Sequence, residues 1–130
     1  TGPLALAATA LASAPARAGP MGFKGVYLVK RRADFTYDAF VDHQLETHVP
    51  LVCELPGLRH YSFDFFRPDG EAEQPFDGMA TVRFDDRAAH DAALASEAGR
   101  RALADLPLFL ETDRTVVLLG ETGAERSFAA

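Results

Sequence analysis

Cysteine and positive charge are scarce in this sequence, and tryptophan is absent. Cys53 is the only cysteine, which excludes an internal disulfide and a site built from spaced cysteines. We interpret it as a half-buried, unreactive thiol. Thirteen Lys and Arg residues stand against nineteen Asp and Glu, giving a net charge of -6. This balance argues against a nucleic-acid partner, because phosphate binding requires a basic surface. The single basic run, Lys30-Arg31-Arg32, is typical of a solvated strand end.

Long apolar runs and common catalytic motifs are also missing. No stretch approaches the roughly 20 apolar residues that a membrane-spanning helix needs, so we expect no membrane partner. The glycines are scattered rather than gathered in a phosphate-binding loop, and Gly-x-Ser-x-Gly does not occur. Neither His-x-His nor His-Glu-x-x-His is found, so we predict no metal site.

What is present suits one globular domain. The chain has 130 residues, of which 48% are hydrophobic, and ten phenylalanines supply the aromatic bulk. Residues 1–20 are rich in Ala, Pro and Gly and are predicted to be a disordered or processed extension: either a truncated signal peptide or an upstream extension before Met21. We expect the domain over 21–122, a loose tail over 123–130, and a cytoplasmic location, or export if residues 1–18 are signal-peptide remains.

The pattern of apolar residues and turn signals predicts four strands and two helical regions. Strands are predicted at 23–29, 58–67, 78–84 and 115–119. The first helix should run from Tyr37, capped by Thr36, to about Leu55, and the second region from 85 to about 110 with a new start at Ser96. The order βαββαβ predicts an α+β, ferredoxin-like fold with a four-stranded antiparallel sheet and two helices on one face.

Both faces of the predicted strands are apolar. Tyr27 and Val29 alternate with Val26 and Leu28, and the other strands show the same pattern. Two helices cover only one face of a sheet, so a second subunit is the simplest cover for the other. The sequence therefore predicts a homodimer.

One histidine lies on the apolar side of the first helix. At about 100° per residue, His48 falls in the middle of a stripe formed by Tyr37, Phe40, Val41, Leu45, Val52 and Leu55. Pro50 lacks a backbone donor and crowds the carbonyl of Glu46, so the helix should kink or restart there. His43 and Glu46 are predicted to face outward, and His90 shows no acidic partner pattern.

Several segments together resemble the EthD family. They are Val26-Tyr27-Leu28-Val29-Lys30-Arg31, Phe40, His48-Val49-Pro50-Leu51, Leu55-Pro56-Gly57-Leu58-Arg59-His60-Tyr61, Phe84-Asp85, Ser96-Glu97, and the spacing from Ala104-Asp105 to Phe109. The resemblance covers roughly 23–121. It implies a dimeric α/β barrel of ferredoxin-like subunits, whose relatives include ether-degradation proteins, lactone isomerases, small monooxygenases and polyketide cyclases, mostly without cofactor.

The resemblance also suggests site residues. His48 is the predicted acid or base, because an imidazole exchanges protons near neutral pH; alternatively it only bonds a carbonyl freed by Pro50. Tyr61 would stabilise a substrate carbonyl or enolate, or be tied to backbone. Asp105 would fix the His48 tautomer, or cap a following helical turn. His60, Phe40 and Phe109 are predicted substrate contacts, although His60 and Tyr61 must point to opposite faces of their strand.

Two classes of function remain open. The first is an enzyme without metal or organic cofactor that uses proton transfer by His48 on a small hydrophobic or aromatic molecule, as an isomerase, cyclase or monooxygenase. The second is a non-catalytic dimeric binding or accessory protein for a hydrophobic metabolite or partner enzyme.

Overall fold

The computed structural model of the protein describes residues 22–70 and 72–129, so the extension predicted at 1–20 lies outside the described residues. The strands are β1 (Phe23–Val29), β2 (His60–Phe65), β3 (Gly78–Phe84) and β4 (Val116–Glu121). The helices are α1 (Tyr37–His43), a π-helical turn (Gln44–His48), α2 (Val49–Val52), α3 (Arg87–Ala95), α4 (Glu97–Phe109) and a short 3-10 turn (Thr112–Arg114). The predicted order βαββαβ and the α+β class are confirmed.

The four strands form one antiparallel sheet in the order β2-β3-β1-β4. In the middle of the sheet, Tyr27 of β1 lies opposite Ala80 of β3 and Val117 of β4. Tyr61 of β2 lies opposite Val82 of β3. Since side chains alternate between faces, these residues share one face of the sheet.

Local capping explains where the helices begin. The Ala39 N–H donates to the Thr36 hydroxyl at 3.1 Å, and the Ala89 N–H donates to the Asp86 carboxylate at 2.8 Å. The Gly99 N–H donates to the Ser96 hydroxyl at 3.1 Å, which starts α4 directly after α3. These side chains satisfy backbone donors that a helix leaves free at its start.

The helices of the described residues pack on the face that carries Tyr27, Tyr61 and Phe63. Two clusters of buried side chains fill the space between helices and sheet, one around Val82 and Phe84 and the other around Phe40 and Phe109. The opposite face has no helix over it among the described residues, and Leu118 on that face is 56% exposed. The fold therefore places helices on one face, as predicted.

The basic run after β1 is less solvated than expected. Arg31 forms an ion pair of 2.7 Å with the fully buried Asp77, and Lys30 lies 3.5 Å from the same carboxylate. The prediction of a solvated strand end is wrong for these two residues, because a buried carboxylate requires charged partners. The pair holds the segment before β3 against the end of β1.

The described helices include none with the length and apolar character needed to cross the hydrocarbon core of a bilayer.

Candidate active site

A buried carboxylate lies between two histidines. The His48 Nδ1 lies 2.9 Å from Oδ2 of Asp105, and the His43 Nε2 lies 3.0 Å from Oδ1 and 3.1 Å from Oδ2. Asp105 is only 6% exposed. The His43 ring stacks on Phe109, with ring centroids 4.2 Å apart. Helices α1 and α4 and the π-helical turn thus contribute one shared acid–base cluster.

The π-helical turn explains how His48 reaches this position. The Val49 N–H donates to the carbonyl of Gln44, five residues earlier, immediately before Pro50. A regular turn would press the Pro50 ring against the carbonyl of Glu46. The wider turn avoids this contact and lets the helix continue through Pro50 into α2. The predicted disturbance at Pro50 therefore takes the form of a widened turn.

Asp105 lies within a continuous helix. Helix α4 runs through Pro107 to Phe109, so Asp105 does not cap a new helical turn. Its carboxylate accepts from the two histidines. Of the two roles considered from the sequence, the geometry fits the orientation of His48.

The hydrogen bond to Asp105 sets the tautomer of His48. Burial lowers the pKa of His48, although the hydrogen bond and charge of Asp105 oppose this shift. The ring is therefore neutral at neutral pH. A carboxylate can only accept, so Nδ1 carries the proton and donates, and Nε2 retains its lone pair as the basic nitrogen.

His48 forms part of the wall of a cavity between the helices and the sheet. The cavity has a volume of about 80 Å³, which exceeds the roughly 10–15 Å³ needed by one water molecule. Its wall is mainly aliphatic and aromatic, with Val52, Leu55 and Phe84 among its members. The polar wall residues are Tyr27, Gln44, His48, Tyr61 and Thr115.

Tyr61 and Gln44 form a polar pair in this wall. The Gln44 Nε2 donates to the Tyr61 hydroxyl oxygen at 3.1 Å, and Gln44 is almost fully buried. Burial raises the pKa of Tyr61, with the nearby Cys53 adding to the shift. Tyr61 therefore keeps its phenolic proton, and because its oxygen already accepts from Gln44, that proton is free to be donated.

The EthD domain model matches residues 32–113. This span is well over half of the chain. The chain belongs to the EthD family. No curated protein sequence is significantly similar to it.

Solved structures of EthD and related proteins share the fold. The chain is 25% identical to an EthD family protein from Bacillus halodurans C-125, with a TM-score of 0.67, covering 78% of this chain and 99% of the other. It is 21% identical to a dimeric ferredoxin-like protein of unknown function from Thermobifida fusca YX, with a TM-score of 0.62 and coverage of 80% and 93%. An EthD-like protein from Ralstonia eutropha JMP134 is 18% identical, with a TM-score of 0.62 and coverage of 82% and 97%.

The structure brings together three of the six site residues that the EthD resemblance suggested. His48 and Tyr61 line the same cavity, and Asp105 contacts His48. The other three do not line it. His60 is exposed on the opposite face of the sheet, Phe40 is buried in the core, and Phe109 packs behind His43 and His48.

Two residues of the candidate site on the first helical region do not follow from the sequence predictions. The prediction that His43 faces outward is wrong, because it contacts Asp105, and Gln44 is not among the predicted site residues. Leu45, which is predicted to lie on the apolar stripe, is 51% exposed. Helical spacing contained the signal, since His43 and Gln44 lie three and four residues after Phe40 and so share its side.

Two further expectations about side chains also need correction. His90 does have an acidic partner, because its Nδ1 lies 2.9 Å from Oδ1 of Asp91. Cys53 is exposed rather than half-buried. Within residues 22–70 and 72–129, no three His, Cys, Asp or Glu side chains are placed to hold a metal ion together.

Proposed function

We propose that this EthD protein is an enzyme that moves a proton on a small, mainly apolar carbonyl compound without the help of a cofactor. The observation that carries the proposal is the His48–Asp105 pair beside the cavity. Its Nδ1–H is fixed by the carboxylate at 2.9 Å and His48 lines the cavity, so we assign Nε2 the role of the base. A general base of this kind contributes about 10²- to 10⁴-fold to a rate.

The proposed reaction begins with removal of a proton from the carbon next to the carbonyl group. His48 Nε2 takes the proton, and the C–H electron pair forms the carbon–carbon double bond of an enolate. The resulting imidazolium is stabilised by the Asp105 carboxylate. In a substrate with a second double bond conjugated to the enolate, return of the proton to the far carbon of that system completes an isomerisation. Attack of the enolate carbon on a second carbonyl group of the same molecule, with the imidazolium proton passing to the new alkoxide, completes a cyclisation instead.

Tyr61 is the proposed partner of the substrate oxygen. Its hydroxyl accepts from Gln44 at 3.1 Å, which directs its own proton away from that amide. A hydrogen bond from this proton to the carbonyl oxygen would strengthen as negative charge develops there. Gln44 is almost fully buried and Tyr61 is partly buried, which limits the access of competing water.

A binding or accessory role without catalysis is the second candidate. The observation that favours it is the mainly apolar wall of the cavity, which suits retention of a hydrophobic metabolite. The two candidates differ in the purpose of His48. For a binding protein its replacement changes affinity alone, whereas for an enzyme it removes the chemical step.

We further propose that two copies pair through the open face of the sheet. That face carries Val26, Leu28, Met79, Val116 and Leu118, of which Leu118 is 56% exposed. Apolar surface of this kind on a sheet is commonly covered by another subunit. The similar protein from Thermobifida fusca is described as dimeric, which supports the proposal.

Hydrogen–deuterium exchange into a simple ketone tests the catalytic proposal. 2-Indanone, a small aromatic ketone with acidic protons next to its carbonyl, is incubated in D₂O with protein or with buffer alone, and its proton signals are followed by NMR. We expect exchange above the buffer rate with the wild type and with Glu46→Gln, whose side chain is exposed two residues before His48. No exchange above buffer with the wild type would contradict the proposal.

A further inference from the structure

A second aspartate–histidine pair lies at the same cavity and holds a tyrosine. The His90 Nδ1 lies 2.9 Å from Oδ1 of Asp91, and its Nε2 lies 2.6 Å from the Tyr27 hydroxyl. His90 is 1% exposed, and its ring is enclosed by the edges of Phe23 and Phe84. Tyr27 is itself part of the cavity wall.

The surrounding backbone leaves room for the Tyr27 hydroxyl. Gly25 lies two residues before Tyr27 on the same face of β1, and a Cβ atom at Gly25 would lie 3.1 Å from the hydroxyl oxygen. A contact of this length is tighter than most Cβ contacts, so a side chain at Gly25 would require Tyr27 to shift by a few tenths of an ångström. The glycine therefore leaves the Tyr27 hydroxyl in its observed position beside His90 without a shift.

The direction of each hydrogen bond follows from the chemistry of the three groups. The Asp91 carboxylate only accepts, so His90 donates to it from Nδ1–H. Burial lowers the pKa of His90, so the ring is neutral and Nε2 is an acceptor. The Tyr27 O–H must then donate to Nε2, which leaves only lone pairs on the Tyr27 oxygen for any other partner.

The Tyr61 hydroxyl has the opposite hydrogen-bonding role. Its oxygen accepts from the Gln44 amide at 3.1 Å, so its proton remains available. The cavity wall thus contains one tyrosine that can donate to a ligand and another that can only accept from it. The two tyrosines cannot exchange these donor and acceptor roles, because each hydroxyl is hydrogen-bonded to a nearly fully buried partner, His90 for Tyr27 and Gln44 for Tyr61.

We propose that Tyr27, oriented by His90 and Asp91, is a second ligand-binding residue that selects molecules with a hydroxyl group at one end and a carbonyl group at the other. The hydroxyl donates to Tyr27, and the carbonyl accepts from Tyr61. This inference rests on the proposed function for the place of the ligand, and it adds the substrate class. A molecule with two carbonyl ends would leave the Tyr27 lone pairs facing another acceptor.

Binding of three matched probes tests the proposal. 4-Hydroxyacetophenone carries both groups, 4-fluoroacetophenone lacks the hydroxyl donor at similar size, and 4-ethylphenol lacks the carbonyl. We expect the wild type to bind the first about tenfold more tightly than either of the others, the usual effect of one buried hydrogen bond. Affinities are measured by isothermal titration calorimetry.

Tyr27→Phe is the decisive variant, because it keeps the ring in the cavity wall. It should lower the affinity for 4-hydroxyacetophenone about tenfold and leave that for 4-fluoroacetophenone unchanged. Asp91→Ala leaves every side chain of the cavity wall in place. It should reduce the preference for 4-hydroxyacetophenone over 4-fluoroacetophenone several-fold, because the proton of His90 is no longer held on Nδ1. Equal losses for both probes, or no preference in the wild type, would overturn the proposal.

The outcome is separable from that of the proposed function. If His48→Gln abolishes proton exchange while Tyr27→Phe leaves the hydroxyl preference intact, only the role of Tyr27 is refuted. If Tyr27→Phe removes the preference while His48→Gln exchanges protons at the wild-type rate, only the catalytic role of His48 is refuted.

Discussion

Replacing the shared carboxylate by an amide should disable the base while keeping the shape of the site. In Asp105→Asn, two histidine N–H groups that now donate to a carboxylate would meet one acceptor oxygen and one NH₂ group. The amide NH₂ group must face one of the two rings, and that histidine loses its bond or changes tautomer. If it faces His48, the His48 proton moves to Nε2 and the base is lost; if it faces His43, His48 keeps its bond to the amide oxygen but loses the negative charge that stabilises its protonated form.

The size of the effect can be worked from these contacts. A hydrogen bond to a charged group contributes about 1.5–3 kcal/mol, and part of the loss is offset because Asp105→Asn no longer buries a carboxylate. We expect the free energy of unfolding to fall by about 1–2 kcal/mol. The proton-exchange rate should fall by about 10²- to 10⁴-fold, the range expected when a general base loses the carboxylate that orients it and stabilises its protonated form.

Three measurements separate these effects. Urea denaturation gives the stability change, and the 2-indanone exchange assay gives the rate, while nitrogen NMR of the histidines reports which ring nitrogen of His48 is protonated. Glu97→Gln makes the same chemical change on an exposed residue of α4 and should leave the rate and the tautomer unchanged. A wild-type exchange rate in Asp105→Asn would refute the role given to this carboxylate.

Two other predictions concern the assembly and the response to acid. Leu118→Lys should weaken self-association at least a hundredfold, because a dimer would bury two lysines at a cost of several kcal/mol each. In analytical ultracentrifugation, the control Leu108→Lys, on an exposed position of α4, should sediment like the wild type. A Leu118→Lys variant with the same sedimenting mass as the wild type would rule out this interface. His48 and His90 have pKa values lowered from 6.5 by burial. As the pH falls, these histidines are therefore protonated at a higher pH in the unfolded chain than in the folded protein. Stability should therefore be constant above about pH 7.5 and decline from about pH 6.5 downward, by at most about 1.4 kcal/mol per pH unit for each ring. Urea denaturation at several pH values checks this, and His48→Gln and His90→Gln should each reduce the slope; a slope that neither changes would contradict the assignment.

Local sequence was sufficient for much of the fold. Thr36 and Ser96 cap helices as predicted, because a cap depends on residues within three positions of it. The bounds of β1 and β3 also agree with the prediction, since runs of strand-forming residues between turn signals define them. The first helical region ends earlier than predicted, at Val52 instead of about Leu55.

The site was less accessible to sequence reasoning because its contacts are distant along the chain. His43 and His48 share Asp105 across 62 and 57 positions, and the wide turn at 44–48 changes which side chains face the core. Strand alternation shows that His60 and Tyr61 point to opposite faces, but packing of the helices decides which face is covered. The sequence therefore shows that only one of His60 and Tyr61 can share a cavity with His48, and it does not show which of the two.

The central claim is that His48 removes a proton from a bound carbonyl compound, and proton exchange in the bound state tests it most directly. The rate of deuterium incorporation into 2-indanone is measured at saturating ligand for the wild type and for His48→Gln, with affinities measured in the same samples. We predict affinities within about twofold of each other and an exchange rate at least about 10²-fold lower in the variant. Equal exchange rates at saturation would contradict the role of His48, and rates no higher than buffer for both proteins would leave this EthD protein as a binding module.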